Sequence, residues 1–234
     1  MSEDKNKAID KIKNNAPSAL AWSRALLAGI PWIGGSLDHL IFDKAGEVRL
    51  KRLEQSVKNM EEMISKLDEE RLKVEWFESV EALDMFKHLF NKIEFEPSDN
   101  KVKMLSQIYT LFGTKEHVDD PNKYAVLDTI AKLTSNQKVI FLASNEVGKE
   151  AKEYTTGDLV ETTTAIWKST ILNHIKTTPR LMGQIKGNVV IDVELDIISS
   201  FNLLVNLNVS HPQDSAYLIT GLGRLAYSYM KETE

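Results

Sequence analysis

The stretch LKRLEQSVKNMEEMISKL, residues 50–67, decides how this chain is expected to fold. Its apolar residues recur at alternating spacings of three and four, which is the heptad pattern of a helix that pairs with another helix. This seam consists of Leu50, Leu53, Val57, Met60, Ile64 and Leu67. Most of the other positions carry Lys, Arg or Glu, so the pattern predicts a long charged helical arm that pairs within the chain or with a second copy.

The arm is expected to continue to residue 96 as part of a helical bundle. The seam is short for a freestanding coiled coil, which favours a hairpin packed on other helices. Residues 76 to 93 supply bulkier side chains that are typical of a core, namely Trp76, Val80, Leu83, Phe86, Phe90 and Ile93. Residues 1–96 are therefore predicted to form a first domain, and residues 97–234 a second helical domain.

A second unusual stretch, AGIPWIGGSLDHLIFD at residues 28–43, precedes the arm. The chain carries no charge from residue 25 to residue 37, but a proline and three glycines interrupt this run. A single spanning helix needs about 20 apolar residues, so a turn between two apolar helices is expected instead. The resulting hairpin, residues 19–42, presents a candidate membrane or partner surface made of Trp22, Leu26, Ile30, Trp32, Ile33, Leu37 and Phe42.

Two roles are open for this hairpin. Tryptophan favours the interface between lipid and water, and Arg24 and Lys44 could meet anionic headgroups, which suits a hairpin lying on a membrane surface. Alternatively, the hairpin is buried, either against residues 76 to 93, whose aromatic side chains need a partner, or in an oligomer.

The second half of the chain contains helices with clear start and stop residues. Helices are predicted at residues 99–112 and 121–133, and Gly113 closes the first of them. Another helix is expected to start at Thr134 and to end at Gly148, because Thr134 and Gln137 have the spacing of a capping box.

The end of the chain alternates between helix and strand. ELDIISSFNLLVNLN, residues 194–208, is predicted to be a helix, NVSHPQDSAYLIT a β-hairpin, and TGLGRLAYSYMK a final helix capped by Thr220. Together with the helix that starts at Thr134, this is the element order of a winged helix. The predicted fold is therefore mainly α, with a central helical region and a C-terminal winged-helix-like module that contains a small β-hairpin.

Two stretches resemble known proteins. VNLNVSHPQDSAYLITGLGRLAYSYM, residues 205–230, is similar to winged-helix tails in which an apolar helix, a short loop and a strand precede a Gly-containing helix. IPWIGGSLDHLIFDKAGEVRLKRLEQSVKNMEEM, residues 30–63, resembles the amino-terminal segment of uncharacterised bacterial proteins, some of which are grouped as abortive-infection alpha-like. In those proteins a Pro-x-x-Gly-Gly turn precedes a charged helix. This resemblance implies a bacterial or phage-related protein, with defence as a candidate role and no established enzymatic chemistry.

No catalytic, cofactor or metal signature stands out in the sequence. The chain has no cysteine, and its five histidines are scattered. His39, Asp43 and Glu47 share a helical spacing, but surface helix pairs produce the same spacing without a metal. Gly221 and Gly223 lack the third glycine of a nucleotide-binding fingerprint. We therefore predict that the protein is not an enzyme and binds no cofactor or metal.

DNA binding is the function that a winged helix suggests first. The stretch from Asp192 to Asn208, which contains the predicted recognition helix, carries three acids, Asp192, Glu194 and Asp196, and no Lys or Arg. Phosphate neutralisation and base readout depend on cations. The net charge of the chain, −5, gives no general attraction to nucleic acid either. Nucleic acid is therefore disfavoured as a partner. A DNA-binding regulator stays open as an alternative through cations elsewhere, namely Lys168, Lys176, Arg180 and Lys186.

Interaction is therefore favoured over chemistry. The leading hypothesis is an interaction or assembly protein of bacterial or phage origin that binds itself or a protein partner through helical faces. The first alternative is an antiphage or abortive-infection factor that acts on a membrane through residues 19–42. Mixed charge in the first residues and the absence of cysteine favour a cytoplasmic location, peripheral to the inner membrane face under that alternative.

Overall fold

A computed structural model describes residues 44–148, 165–207 and 215–233 of the chain. The described residues are mainly helical, as predicted, and they form ten α-helices and one three-stranded antiparallel sheet. The hairpin predicted at residues 19–42 lies outside the described residues, with all of its candidate surface side chains. The described chain divides into two compact units, residues 44–127 and residues 128–232.

The first unit is built from helices. Its elements are α1 (Lys44–Ile64), a short 3₁₀ turn (Glu69–Arg71), α2 (Val74–Phe77), α3 (Val80–Ile93), α4 (Asp99–Phe112) and the start of α5 (Lys123–Lys132). Serine hydroxyls cap α3 and α4 by accepting hydrogen bonds from the first turn of each helix. Helix α4 has the predicted bounds, and Gly113 follows it as its C-cap.

Helix α1 uses the predicted seam to pack inside its own unit, against α4. The buried seam residues are Leu53, Val57, Met60 and Ile64. Three further buried residues, Ser56, Asn59 and Met63, widen this face on one side. The Ser56 Oγ lies 2.8 Å from the Ser106 Oγ of α4. A buried face of this width is typical of a helix in a bundle rather than of one strand of a coiled coil.

The seam on α1 is shorter than predicted. Helix α1 ends at Ile64, so Leu67 lies beyond it in a turn and is only half-buried. The backbone N–H groups of Lys66 and Leu67 donate to carbonyl oxygens three residues earlier, at 3.0 and 3.1 Å, which is the tightened pattern of a helix that is ending. Leu50 lies within α1, and its side chain is outside the described part of the chain.

An aromatic cluster fills the centre of the first unit. Trp76 and Phe77 of α2 lie against Tyr109 of α4, with ring centroids 5.6 and 6.5 Å from the Tyr109 ring. Phe86 of α3 lies 5.7 Å from the same ring. Three of the aromatic side chains of residues 76 to 93 thus have a partner within the first unit, namely Tyr109 of α4.

Two residues near the starts of α3 and α5 differ in burial from what their residue types predict. Val80, expected in the core, is 75% exposed because it is the first residue of α3 and points away from the bundle. Lys123 is buried, and its Nζ lies 2.6 Å from the Val118 carbonyl oxygen and 2.5 Å from a carboxylate oxygen of Glu81. The buried ammonium is therefore paired, and it ties the start of α5 to α3.

The second unit combines helices with the sheet. After the end of α5 it contains α6 (Ser135–Gly148), β1 (Ile166–Trp167), α7 (Lys168–Thr177), α8 (Pro179–Met182), α9 (Ile191–Ser200), β2 (Leu204–Asn206), β3 (Ala216–Ile219) and α10 (Gly221–Glu232). The predicted capping box is present, since the Gln137 N–H donates to the Thr134 Oγ1 at 3.2 Å and the Thr134 N–H donates to the Gln137 Oε1 at 2.9 Å. Thr220 caps α10 by accepting from the Gly223 N–H at 2.8 Å.

The three strands are arranged in the order β1-β3-β2, and both pairings are antiparallel. Ile166 of β1 pairs with Tyr217, and Leu204 of β2 pairs with Ile219. The sequence does not predict β1, because two apolar residues directly before a helix are too few to show the alternation of a strand.

The helix predicted at residues 194–208 is wrong at both ends. Helix α9 begins earlier, at Ile191, and ends at Ser200. Asn202 then adopts a left-handed backbone conformation, with φ of 59°, that ends the helical path. The apolar run that follows belongs to β2, where Leu204 is buried and Val205 is exposed, as the two-residue period of a strand requires.

The division between the units falls after Leu127, whereas the prediction placed it after residue 96. That prediction separated α4 from the N-terminal arm. In the structure α4 packs on both α1 and α3, so it belongs to the first unit.

Candidate interaction surface

Helix α9 overlaps the helix predicted at residues 194–208, which is the candidate recognition helix of the sequence analysis. Leu195 and Ile198 on its inner face are fully buried. The Gln137 Nε2 at the start of α6 donates to the Glu194 Oε2 at 2.8 Å. Buried apolar side chains and a side-chain hydrogen bond therefore hold α9 in place within the second unit.

The outward face of α9 combines apolar and acidic side chains. Val193 is 53% exposed, and Val190, the residue before the helix, is 61% exposed. Asp192 and Asp196 are exposed one turn apart, because residues four apart lie on the same side of a helix. Helix α9 contains no Lys or Arg. We refer to Val190, Asp192, Val193 and Asp196 as the α9 face.

The two aspartates of the α9 face have different partners. The Lys168 Nζ lies 2.9 Å from the Asp192 Oδ1. Asp196 accepts hydrogen bonds from two neutral groups, the Asn206 Nδ2 at 3.3 Å and the Tyr217 hydroxyl at 3.4 Å. Burial, and then the charges of Asp196 and Asp192, raise the pKa of Tyr217 to about 12. The Tyr217 hydroxyl therefore stays protonated at neutral pH and remains a donor to Asp196.

Two of the four cations of the DNA-binding alternative form ion pairs with carboxylates of the second unit. Lys168 is paired with a carboxylate of α9, as described above. The Arg180 Nη2 of α8 lies 2.9 Å from the Glu146 Oε1. Lys176 and Lys186 are exposed, the first on α7 and the second in the loop before α9.

The carboxylate of Glu146, in the second unit, contacts three basic side chains. The Glu146 Oε2 lies 3.0 Å from the His174 Nε2, and its Oε1 lies 2.9 Å from the Arg180 Nη2 and 3.1 Å from the Lys231 Nζ. Burial alone would raise the pKa of Glu146. Hydrogen bonds from His174 and Lys231, with the charges of Lys231 and Arg180, outweigh burial and hold this pKa below its ordinary value. This Glu146 cluster joins α6, α7, α8 and α10.

Replacing Glu146 by glutamine is expected to destabilise the second unit in a pH-dependent way. Because the folded pKa lies below the ordinary 4.5, the carboxylate contributes stability above that pH and loses it as the pH falls through the folded value. We expect the variant to lose about 1 kcal/mol of unfolding free energy at neutral pH. Urea unfolding across a pH series from 7 to 3 measures this loss. Glu54→Gln, exposed on α1, is the control, and a loss that stays constant in acid would contradict the charge-based cause.

The structure places four of the six predicted pairing residues, Leu53, Val57, Met60 and Ile64, in the core rather than on an exposed face. Leu53, Val57 and Met60 are buried against α4 of the same chain, so they offer no exposed area to a second copy. The α9 face could be found only partly from the sequence. Its aspartates are visible there as acids on an apolar helix, but the exposure of its valines is not. The Glu146 cluster gives no local signal, because its partners lie at least 28 residues away along the chain.

Among the residues that the structure describes, no three His, Asp or Glu side chains converge as ligands for a metal ion. No helix within the same ranges is long and apolar enough to cross a membrane. His39 and Asp43, considered above as ligands together with Glu47, lie outside the described part of the chain, and so does the side chain of Glu47.

Comparison with protein-family models, with curated proteins and with solved structures gave no match for this chain. The resemblance of residues 30–63 to the abortive-infection alpha group, and that of residues 205–230 to winged-helix tails, therefore stay predictions.

Proposed function

We propose that this chain is a non-enzymatic interaction protein whose second unit binds a basic, amphipathic segment of another protein on the α9 face. One observation carries the proposal. Helix α9 and the residue before it expose two valines beside two aspartates. Helix α9 contains no Lys or Arg, and Lys168 of α7 pairs with one of the two aspartates, Asp192. A partner helix with apolar side chains on one side and Lys or Arg on the adjoining side complements this face in both polarity and charge.

The order of elements supports a winged-helix-like module as the scaffold of this surface. Apart from the short α8, the chain runs helix, strand, helix, helix, strand, strand from α6 to β3. In DNA-binding helix-turn-helix proteins the recognition helix enters the major groove and contacts base edges. In the same position α9 would bring carboxylates toward phosphates, so a basic protein segment fits this face better than DNA does.

The α9 face is also organised before a partner arrives. Leu195 and Ile198 are fixed in the core, and the hydrogen bond from Gln137 to Glu194 fixes the start of the helix. The Asn206 and Tyr217 side chains hold the carboxylate of Asp196. A surface that needs little ordering on binding retains more of its interaction energy as affinity.

Removing the two charges of the α9 face is expected to weaken partner binding. The probe is a fluorescein-labelled synthetic helical peptide with one leucine face and one lysine face. We expect Asp192→Asn/Asp196→Asn to raise its Kd about tenfold, because two partly exposed ion pairs together contribute about 1.4 kcal/mol. Fluorescence anisotropy of the full chain at low and moderate salt measures the Kd.

A matched control separates the α9 face from general charge. Glu70→Gln/Glu75→Gln removes two exposed carboxylates from the first unit. A peptide with glutamate in place of lysine is the second control. Equal peptide affinity in the two double variants, or equal affinity of the wild type for the two peptides, would rule out the α9 face as the binding site.

Duplex DNA serves as the competing ligand in the same assay. A protein that neutralises phosphates must lose affinity steeply as salt is added. Salt-dependent DNA binding that disappears in Lys176→Gln/Lys186→Gln, without binding of the lysine peptide, would assign the second unit to the DNA-binding alternative and overturn the proposal. The membrane alternative depends on residues 19–42, outside the described residues, and stays a prediction.

A further inference from the structure

A groove in the second unit lies between α10, the end of α6 and the edge of the sheet. Its volume is about 970 Å³, at the upper end of the roughly 300–1,000 Å³ that small-molecule sites occupy. All of its lining residues belong to the second unit, and none belongs to the α9 face. The groove is therefore a separate site from the proposed partner surface.

One wall of the groove is apolar and preformed. The apolar lining residues of the groove are Ile166 of β1, Val205 of β2, Leu218 and Ile219 of β3, and Tyr227 of α10. Val205 and Leu218 pair with each other and share one face of the sheet, whereas Ile166 and Ile219 lie on the opposite face. The apolar wall that a ligand can reach is therefore formed by Val205 and Leu218. Gly148 closes one end, where an added Cβ would lie 2.7 Å from the Ile219 Cδ1 and 2.9 Å from the Ile166 Cδ1. The end of α6 thus lies directly on the Ile219 and Ile166 side chains, and Ile166 is almost fully buried.

The rim of the groove is basic. Arg224 and Lys231 of α10 line it, together with one carboxylate, Glu232. Arg224 is exposed, and its Nη1 donates to the Ile219 carbonyl oxygen at 3.0 Å, which orients the guanidinium while using one of its five N–H donors. The Lys231 Nζ already lies 3.1 Å from the Glu146 Oε1, within the Glu146 cluster.

We propose that this groove binds a small amphipathic carboxylate. The apolar chain or ring lies on the wall formed by Val205 and Leu218, and the carboxylate is held by Arg224. The pairing of guanidinium with carboxylate is geometrically matched and charge-assisted. A cation is repelled by this rim, and a highly charged phosphate compound leaves the apolar wall without a contact.

Octanoate is the probe for this site, and octan-1-ol is the neutral compound with the same chain. Titration calorimetry on the full chain is expected to show octanoate binding at least about tenfold tighter than octanol, which corresponds to one charge-assisted contact. We expect Arg224→Gln to remove this preference by weakening octanoate about tenfold while leaving octanol unchanged. Lys176→Gln, an exposed cation outside the groove, is the matched control and should bind octanoate like the wild type.

A second pair of variants tests the apolar wall. Val205→Asp places a carboxylate on the wall and is expected to weaken octanoate more than tenfold, whereas Val190→Asp makes the same change outside the groove and should have no effect. Circular dichroism confirms that each variant is folded. Absence of octanoate binding, equal affinity for octanoate and octanol, or equal losses in Arg224→Gln and Lys176→Gln would each overturn the proposal. These outcomes are independent of the peptide assay, because the groove and the α9 face share no residue.

Discussion

Replacing Gly223 by alanine is expected to destabilise the second unit by about 3 kcal/mol. An alanine Cβ at this position would lie 2.2 Å from the Leu203 carbonyl oxygen and 3.0 Å from the Ile219 Cγ2. The Leu203 oxygen is a backbone atom that already accepts a hydrogen bond from the Thr220 N–H at 3.1 Å. It cannot move aside as the end of a side chain can, so the first turn of α10 has to shift away from the entry into β2.

Gly221→Ala is the matched control for this prediction. Gly221 is the first residue of α10, and a Cβ there would have no atom within 4 Å. Alanine is the better helix former by about 1 kcal/mol in helix interiors, so this variant should be neutral or slightly stabilised. Urea unfolding followed by circular dichroism compares the two proteins, and equal stability would show that the approach of α10 to Leu203 is not tight.

Replacing Met60 by aspartate is expected to cost about 4 kcal/mol, because it leaves a cavity and buries a carboxyl group without a partner. Met60 has no exposed surface and lies at the centre of the seam. The loss should appear in the unfolding free energy of the first unit. It should not depend on protein concentration, since the seam packs against α4 of the same chain.

Lys58→Asp introduces the same residue on the exposed side of α1 and should change stability by about 0.5 kcal/mol or less. Urea unfolding over a wide range of protein concentration, with light scattering to measure mass, distinguishes packing of the seam within one chain from pairing of two copies. A wild-type midpoint that rises with concentration, together with a Met60→Asp protein that is monomeric and still helical, would show that the seam joins two copies.

Three of the helix starts and stops could be predicted from short stretches of sequence, whereas both ends of the helix predicted at residues 194–208 were wrong. The capping box of Thr134 and Gln137, the cap at Thr220 and the stop at Gly113 all appear where they were expected. Each of these signals depends on hydrogen bonds within a single turn, so the residues that carry it are neighbours in the sequence.

The seam shows the limit of prediction from local sequence. Its spacing identified the buried side of α1 but not the helix that covers it, because a heptad pattern does not show which helix packs against it. The buried Ser56, Asn59 and Met63 form an uncharged row beside the seam at spacings of three and four, and this row was a readable signal of a wider buried face.

The α9 face and the Glu146 cluster depend on tertiary packing more than the helix caps do. The acids of α9 are evident in the sequence, whereas the exposure of Val190 and Val193 follows from which side of α9 the core covers. Glu146 meets basic residues from three other helices, and no local pattern marks it.

Residues within one or two turns of each other set where helices begin, where they end and which side is apolar, because capping bonds and helical periodicity act over that distance. The partner of each apolar side, the division after Leu127 and the charges that meet at Glu146 and along the groove depend on residues far apart in the chain. Those residues come together only when whole helices and strands pack, since burial of apolar surface favours close packing but does not specify in advance which side chains will meet.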